Sequence, residues 1–168
     1  MQFYQSLLDI KDTPSSIKEA ALKCLQGQES FSNLALPFKE CLKTDVVELL
    51  SIGIQGSVSL LTVHHVSQED IMQILDLFAA KYDVDVKISS VLVNSLGKLV
   101  NADVTTSNSL LKVVKIVYSI FLTCPSSQVQ VMAQSTIYRM VHNVFSISPL
   151  KVTESNTIVT GIRCTEGN

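Results

Sequence analysis

The chain has 168 residues, 46% of them hydrophobic and only 17% charged, with a mean hydropathy of +0.32. That length and apolar content support one domain with a sizeable core and exclude a disordered chain. A typical domain is about 25% charged, so the low charge also points to surface that meets another protein. The net charge is −2 with a pI near 5.9, and no run of Lys and Arg is dense enough to neutralise a row of phosphates, which argues against a nucleic-acid partner.

Residues 1–12 form a short lead-in with a helical turn around Phe3, Leu7 and Leu8. Thr13 and Pro14 read as N-cap and first helical residue, because the missing N–H of proline costs nothing there. The helix that follows carries Ile17, Ala21, Leu22 and Leu25 on one face and stops at Gly27. A second helix starts near Ser30 with Phe31, Leu34, Phe38, Cys41 and Leu42. Pro37 is expected to kink or split it. Thr44 reads as the next N-cap, before a long apolar helix that contains Gly53 and Gly56. Each glycine costs roughly 1 kcal/mol relative to Ala, so both predict close approach of a neighbouring helix.

His64 and His65 mark a turn, and Ser67 with Asp70 three residues on is a capping start. Ile71, Ile74, Leu75 and Phe78 give the next apolar face. Asp83 or Asp85 opens another helix, which ends near Asn101, and Thr105, Thr106 and Ser107 form a polar turn. Residues 108–145 then read as two helices joined at Cys124 and Pro125. The first is apolar except for Asn108, Lys112, Lys115 and Ser119, a stripe so narrow that the helix is expected to need partners on most of its circumference. The second has one apolar face, from Val129 through Ala133, Ile137 and Met140 to Phe145. Residues 1–147 thus read as one helical-repeat domain, and 148–168, without helical period, as an irregular or disordered tail.

No segment alternates long enough for a strand, so the class is all-α. A shift of 38 lays Lys43 and Asp45 over Lys81 and Asp83. A shift of 39 lays Ile71, Ile74, Leu75 and Phe78 over Leu110, Val113, Val114 and Val117. Each unit is a long helix, a polar turn and a second helix. This fits an armadillo/HEAT-like α-solenoid of stacked helical hairpins, with a non-repetitive bundle as the rival.

Nothing in the sequence assembles a catalytic set. His64 and His65 have no HExxH and no acidic partner at helical spacing, and read as an exposed turn. There is no GxSxG and no Gly-rich phosphate loop. Cys24, Cys41, Cys124 and Cys164 show neither CxxC nor zinc spacing, and read as small buried hydrophobes in a reducing compartment. No cofactor and no metal are expected. Residues 1–10 lack the features of a secretory signal, and no window holds the ~18 uninterrupted apolar residues of a membrane span. Membrane contact is expected only peripherally or through a partner. Lys112 and Lys115 read either as a solvated ridge or as a binding edge for an acidic partner.

Lys115, Tyr118, Ile120, Phe121 and Leu122, with Ala133, Gln134, Thr136, Met140, Val141, Val144 and Phe145, form a pattern that resembles a known family. It is similar to the end of the amino-terminal dimerisation and cyclophilin-binding (DCB) domain of the large brefeldin-A-inhibited guanine-nucleotide exchange factors for Arf GTPases. Phe38 and Cys41, followed by the helix to His64 and His65, resemble that family's first repeat. The chain departs from the family at Lys115, where arginine is usual, at His64, where glycine is usual, and at Ile137 and Arg139, where the family favours Leu and Gln.

The resemblance implies a non-catalytic regulatory domain acting in vesicle-mediated transport. The exchange domain is not within these residues, so the chain is expected to be an amino-terminal fragment or a truncated relative rather than an enzyme. The implied partners are a small GTPase of the Arf or Arf-like class, a second copy or a neighbouring regulatory domain. The implied location is cytoplasmic, peripheral at Golgi and trans-Golgi network membranes. The family's GTPase site lies near repeat turns and adjacent helix ends, which here selects His64, His65, Lys98, Lys112 and Lys115. A generic armadillo/HEAT adaptor binding peptides or other proteins is the second reading; the absence of Trp tells against an importin-like groove.

Overall fold

The apolar spacing of the sequence becomes eight α-helices in the computed structural model, which describes residues 2–27, 30–102 and 106–147, with 143–147 as backbone only. They are α1 (Gln2–Asp9), α2 (Ser15–Leu25), α3 (Phe31–Cys41), α4 (Val47–Val63), α5 (Gln68–Ala79), α6 (Val86–Asn101), α7 (Ser107–Thr123) and α8 (Ser127–Ile147). No strand occurs among the described residues. The tail expected over residues 148–168 lies outside them, as do Thr105 and Cys164.

The chain folds as an all-helical stack in two layers. α4, α6 and α8 pack side by side in one layer; α5 packs on α7 in the other, and α3 covers α4. α4 turning into α5 and α6 turning into α7 are the two repeat units seen in the sequence. The repeat is also written in polar bonds between equivalent parts of successive units. Lys81 Nζ reaches Asp45 Oδ1 at 2.7 Å, Thr106 Oγ1 donates to Gln68 Oε1 at 2.7 Å, and Lys112 pairs with Asp76. All three link residues 36 or 38 apart in sequence.

The larger core runs from α4 to α8 and includes Leu50, Ile54, Leu61, Leu92, Leu96, Val117 and Ile120. Ile71, Ile74, Leu75 and Phe78 of α5 are all fully buried in it, worth about 1.5–3 kcal/mol each. A smaller core joins α1 to α4 through Tyr4, Leu7, Ile17, Ala21, Phe38, Cys41 and Leu49. The expected turn at the amino terminus is a full helix because Tyr4 anchors it. Its ring stacks on Phe38 at 4.9 Å and its hydroxyl donates to Leu34 O at 2.9 Å.

Both long-helix glycines sit at the close approach that their cost predicts. Gly53 faces Cys41 Cβ and Phe38 O, and Gly56 faces the Phe38 ring. Gly27 takes φ +103 after α2, the left-handed stop expected there. Ser30, Ser67 and Asp85 cap α3, α5 and α6, accepting from Asn33 N, Asp70 N and Lys87 N.

Three expectations are corrected. Thr13 does not cap α2; Pro14 takes the N-cap position, and Thr13 is buried with its hydroxyl unpartnered. Thr44 does not cap α4; its hydroxyl donates back to Cys41 O at 2.8 Å and closes α3, leaving Val46 as the N-cap. Pro37 does not split its helix. The carbonyl its missing N–H leaves open is Asn33 O, four residues earlier, and Cys24 Sγ donates to that oxygen at 3.3 Å from α2.

Candidate functional site

The five residues selected from the sequence fall on three parts of the stack. His64 and His65 stand exposed in the α4–α5 turn, where the His64 N–H donates to Leu60 O and closes α4. Lys98 is in the last turn of α6. Lys112 and Lys115 are on α7. Lys112 pairs with Asp76 of α5 and links the two repeats. Lys115 is exposed and has no hydrogen bond or ion pair among the described residues.

Lys98 lines a cavity. That cavity, of about 210 Å³, lies where α1, α4 and α6 meet and is bounded by Phe3, Gln55, Val58, Ser59, Thr62, Ser95 and Lys98. Its wall offers amide and hydroxyl groups and one ammonium. Among the described residues no carboxylate or imidazole lines it, so no hydroxyl there is paired with a base. A second cavity, of about 330 Å³, lies between the α5–α6 and α7–α8 junctions and is lined by Asp83, Asp85, Ser89, Thr123 and Cys124 among others. Asp85 there is already used by the α6 amino terminus.

The described thiols are not arranged for chemistry. Cys24, Cys41 and Cys124 are free and buried. Burial, with Glu40 beside it, pushes the Cys41 thiol up to about 12, and burial also raises Cys24. A thiol held protonated at neutral pH is a poor nucleophile and a poor metal ligand. No group of three or more His, Cys, Asp or Glu side chains that could hold a metal occurs among the described residues.

The larger surface feature was not selected from the sequence. α7 was expected to be enclosed on most sides, yet Leu111, Tyr118 and Leu122 are 55%, 51% and 59% exposed. On α8, Val131 and Tyr138 are 65% and 72% exposed. α7 packs against α5, α6 and α8, and α8 against α6 and α7, which leaves the far side of this last pair open. A signal for it was present in the sequence: no Asp or Glu occurs between Asp103 and Glu154. No protein-family model matches the chain, and no curated protein matches it.

Proposed function

We propose that the chain is a non-catalytic interaction domain of the DCB type, belonging to an Arf-GTPase exchange factor in vesicle-mediated transport. The observation that carries this reading is how the residues of the family-like pattern divide. Ile120, Ala133, Thr136 and Met140 are buried, as packing in any helical stack would demand. Lys115, Tyr118, Leu122, Gln134 and Val141 are exposed, so packing within this chain does not call for them. A pattern that extends onto open surface is better accounted for by recognition than by folding.

In this function a GTP-loaded Arf-like GTPase docks on the repeat turns, with His64, His65 and Lys98 offered by the α4–α5 turn and the end of α6. A second copy or a neighbouring regulatory domain associates elsewhere on the stack. No helix among the described residues is long and apolar enough to cross a membrane, and attachment at cytoplasmic Golgi membranes would come through the GTPase. Co-precipitation with Arf-like GTPases loaded with GTP or GDP tests the proposal. Binding selective for the GTP form, weakened by His64→Glu with His65→Glu, is the expected result. Equal binding to both forms would favour a generic adaptor, and no binding to either would remove the recruitment role.

A further inference from the structure

A helical stack needs polar outer faces on its terminal units, because each unit buries its apolar sides only against neighbours. The two ends of this stack differ. The first end is closed by α1 and α2, whose exposed residues include Gln2, Gln5, Asp9, Ser16, Glu19 and Lys23. Among the described residues, the α7–α8 pair is not closed in this way. Twelve large hydrophobic side chains stand exposed among the described residues, and six of them belong to α7 and α8. The other six are scattered over α2, α3, both ends of α4 and the start of α6.

The six are ordered. Leu111, Tyr118 and Leu122 follow spacings of seven and four, one row along α7. Val131, Tyr138 and Val141 follow seven and three, one row along α8. Their exposures of 44–72% correspond to an apolar area on the order of 600 Å², at the upper end of what a typical monomer leaves open. A standard interface takes about 800 Å² from each partner. The open area therefore suits one helix laid along the pair better than an extensive domain face, and α7, with 17 residues, offers such a helix about 25 Å of length.

The charge identifies the occupant. Lys115 lies within the α7 row, and Arg139 is exposed at the α6 side of the α8 row, its guanidinium near Gly97 and donating to the Thr136 hydroxyl. No carboxylate occurs anywhere in residues 104–153. Pairing this face with itself would set cations against a surface that has no acid to answer them, which disfavours a second copy. A membrane-lying surface carries a dense row of Lys and Arg, and two cations are too few. We propose that the α7–α8 face is a docking surface for an acidic amphipathic helix from outside residues 1–168, its apolar stripe on the two rows and its Glu or Asp flanks toward Lys115 and Arg139. This shares exposed residues with the observation behind the DCB-type reading, but it does not need the GTPase contact, which is placed at the repeat turns.

The test uses two synthetic 18-residue helical peptides with the same leucine stripe, one flanked by Glu and the other by Lys. Each is titrated by fluorescence anisotropy against the full chain. The acidic peptide should bind at least tenfold more tightly than the basic one and weaken as salt rises. Tyr118→Glu with Tyr138→Glu should weaken the acidic peptide at least tenfold with an unchanged circular dichroism spectrum, and Lys115→Glu should narrow or reverse the preference. Equal affinities, no binding of either peptide, or a preference untouched by Lys115→Glu would overturn the proposal. So would each rival occupant. A concentration-dependent dimer abolished by Tyr138→Glu would assign the face to a second copy. Binding of phosphatidylserine vesicles lost in the same variant would assign it to a membrane. Peptide binding seen only after Ile158→Asp with Val159→Asp would assign it to the chain's own carboxy-terminal segment.

Discussion

Replacing Gly56 by alanine should lower stability even though alanine is the better helix former. In a free helix the exchange gains about 1 kcal/mol. Here the added methyl would point into the Phe38 ring, 2.6 Å from Cδ1 and 2.7 Å from Cζ. That ring has little room to retreat. It is 1% exposed, stacks on Tyr4 at 4.9 Å and meets Phe3 edge-on at 6.4 Å, at the point where α1 and α3 close on α4. Overpacking of this kind costs about 1–3 kcal/mol, so the clash outweighs the helical gain and the net loss is on the order of 1 kcal/mol. Gly97 supplies the control. Its methyl would lie 3.4 Å from Thr136 Cγ2 and 3.5 Å from Arg139 Nη2, close to ordinary van der Waals contact, and Gly97→Ala should be neutral or stabilising by about 0.5–1 kcal/mol. The two variants should therefore differ by about 1–2 kcal/mol, or about 2–8 °C in Tm for a chain of this size. Thermal melts followed at 222 nm decide it. A Gly56→Ala variant that melts at or above Gly97→Ala would refute the packing argument.

Cys24→Ala should cost about 1 kcal/mol in urea unfolding, because Sγ satisfies the Asn33 carbonyl that Pro37 leaves open; an unchanged midpoint would mean that this bond contributes nothing. Breaking Lys112–Asp76 should cost at most about 1 kcal/mol, since the Asp76 side chain is 68% exposed, and a coupling above ~2 kcal/mol in a double-mutant cycle would contradict that. Burial pushes the Cys41 thiol from an ordinary value of 9 up to about 12 in the fold. A raised folded value stabilises fully below the unfolded one, so this contribution is complete below pH 9 and is lost between pH 9 and about 12. Denaturation midpoints should fall across the lower part of that window, and less steeply in Cys41→Ala; parallel slopes in the two proteins would exclude Cys41 as the cause. Lys115→Glu should leave stability within about 0.5 kcal/mol, because the side chain is exposed and unpaired among the described residues; a larger change would reveal a structural role.

Much of the fold was legible wherever local chemistry and burial agree. Asp85 to Asn101 has an acidic cap, a clean apolar face and a polar exit, and α6 has those bounds. The α5 face was read residue by residue because Ile71, Ile74, Leu75 and Phe78 have one inward direction available. The misses came from longer-range partners. Thr13 and Thr44 have the side chain of a cap, but a hydroxyl can also be buried or turn back to the helix before it, and only the tertiary path decides. Pro37 reads as a break until a thiol from another helix answers its orphan carbonyl. The candidate site was less legible still. Periodicity shows that Leu111, Tyr118 and Leu122 share a face, but not whether a neighbour covers it. Lys112 and Lys115 look alike in sequence and differ only because Asp76 stands opposite one of them.

The proposal to be tested first is that this stack recognises the active state of an Arf-like GTPase through its repeat turns. Calorimetric titration of the chain with GTP-locked and GDP-loaded GTPase tests it most directly. Saturable binding to the GTP-locked form, at least tenfold weaker with GDP and weakened again by His64→Glu with His65→Glu, is the predicted result. Affinities that do not change with the nucleotide, or that survive substitution of both histidines and of Lys98, would contradict it.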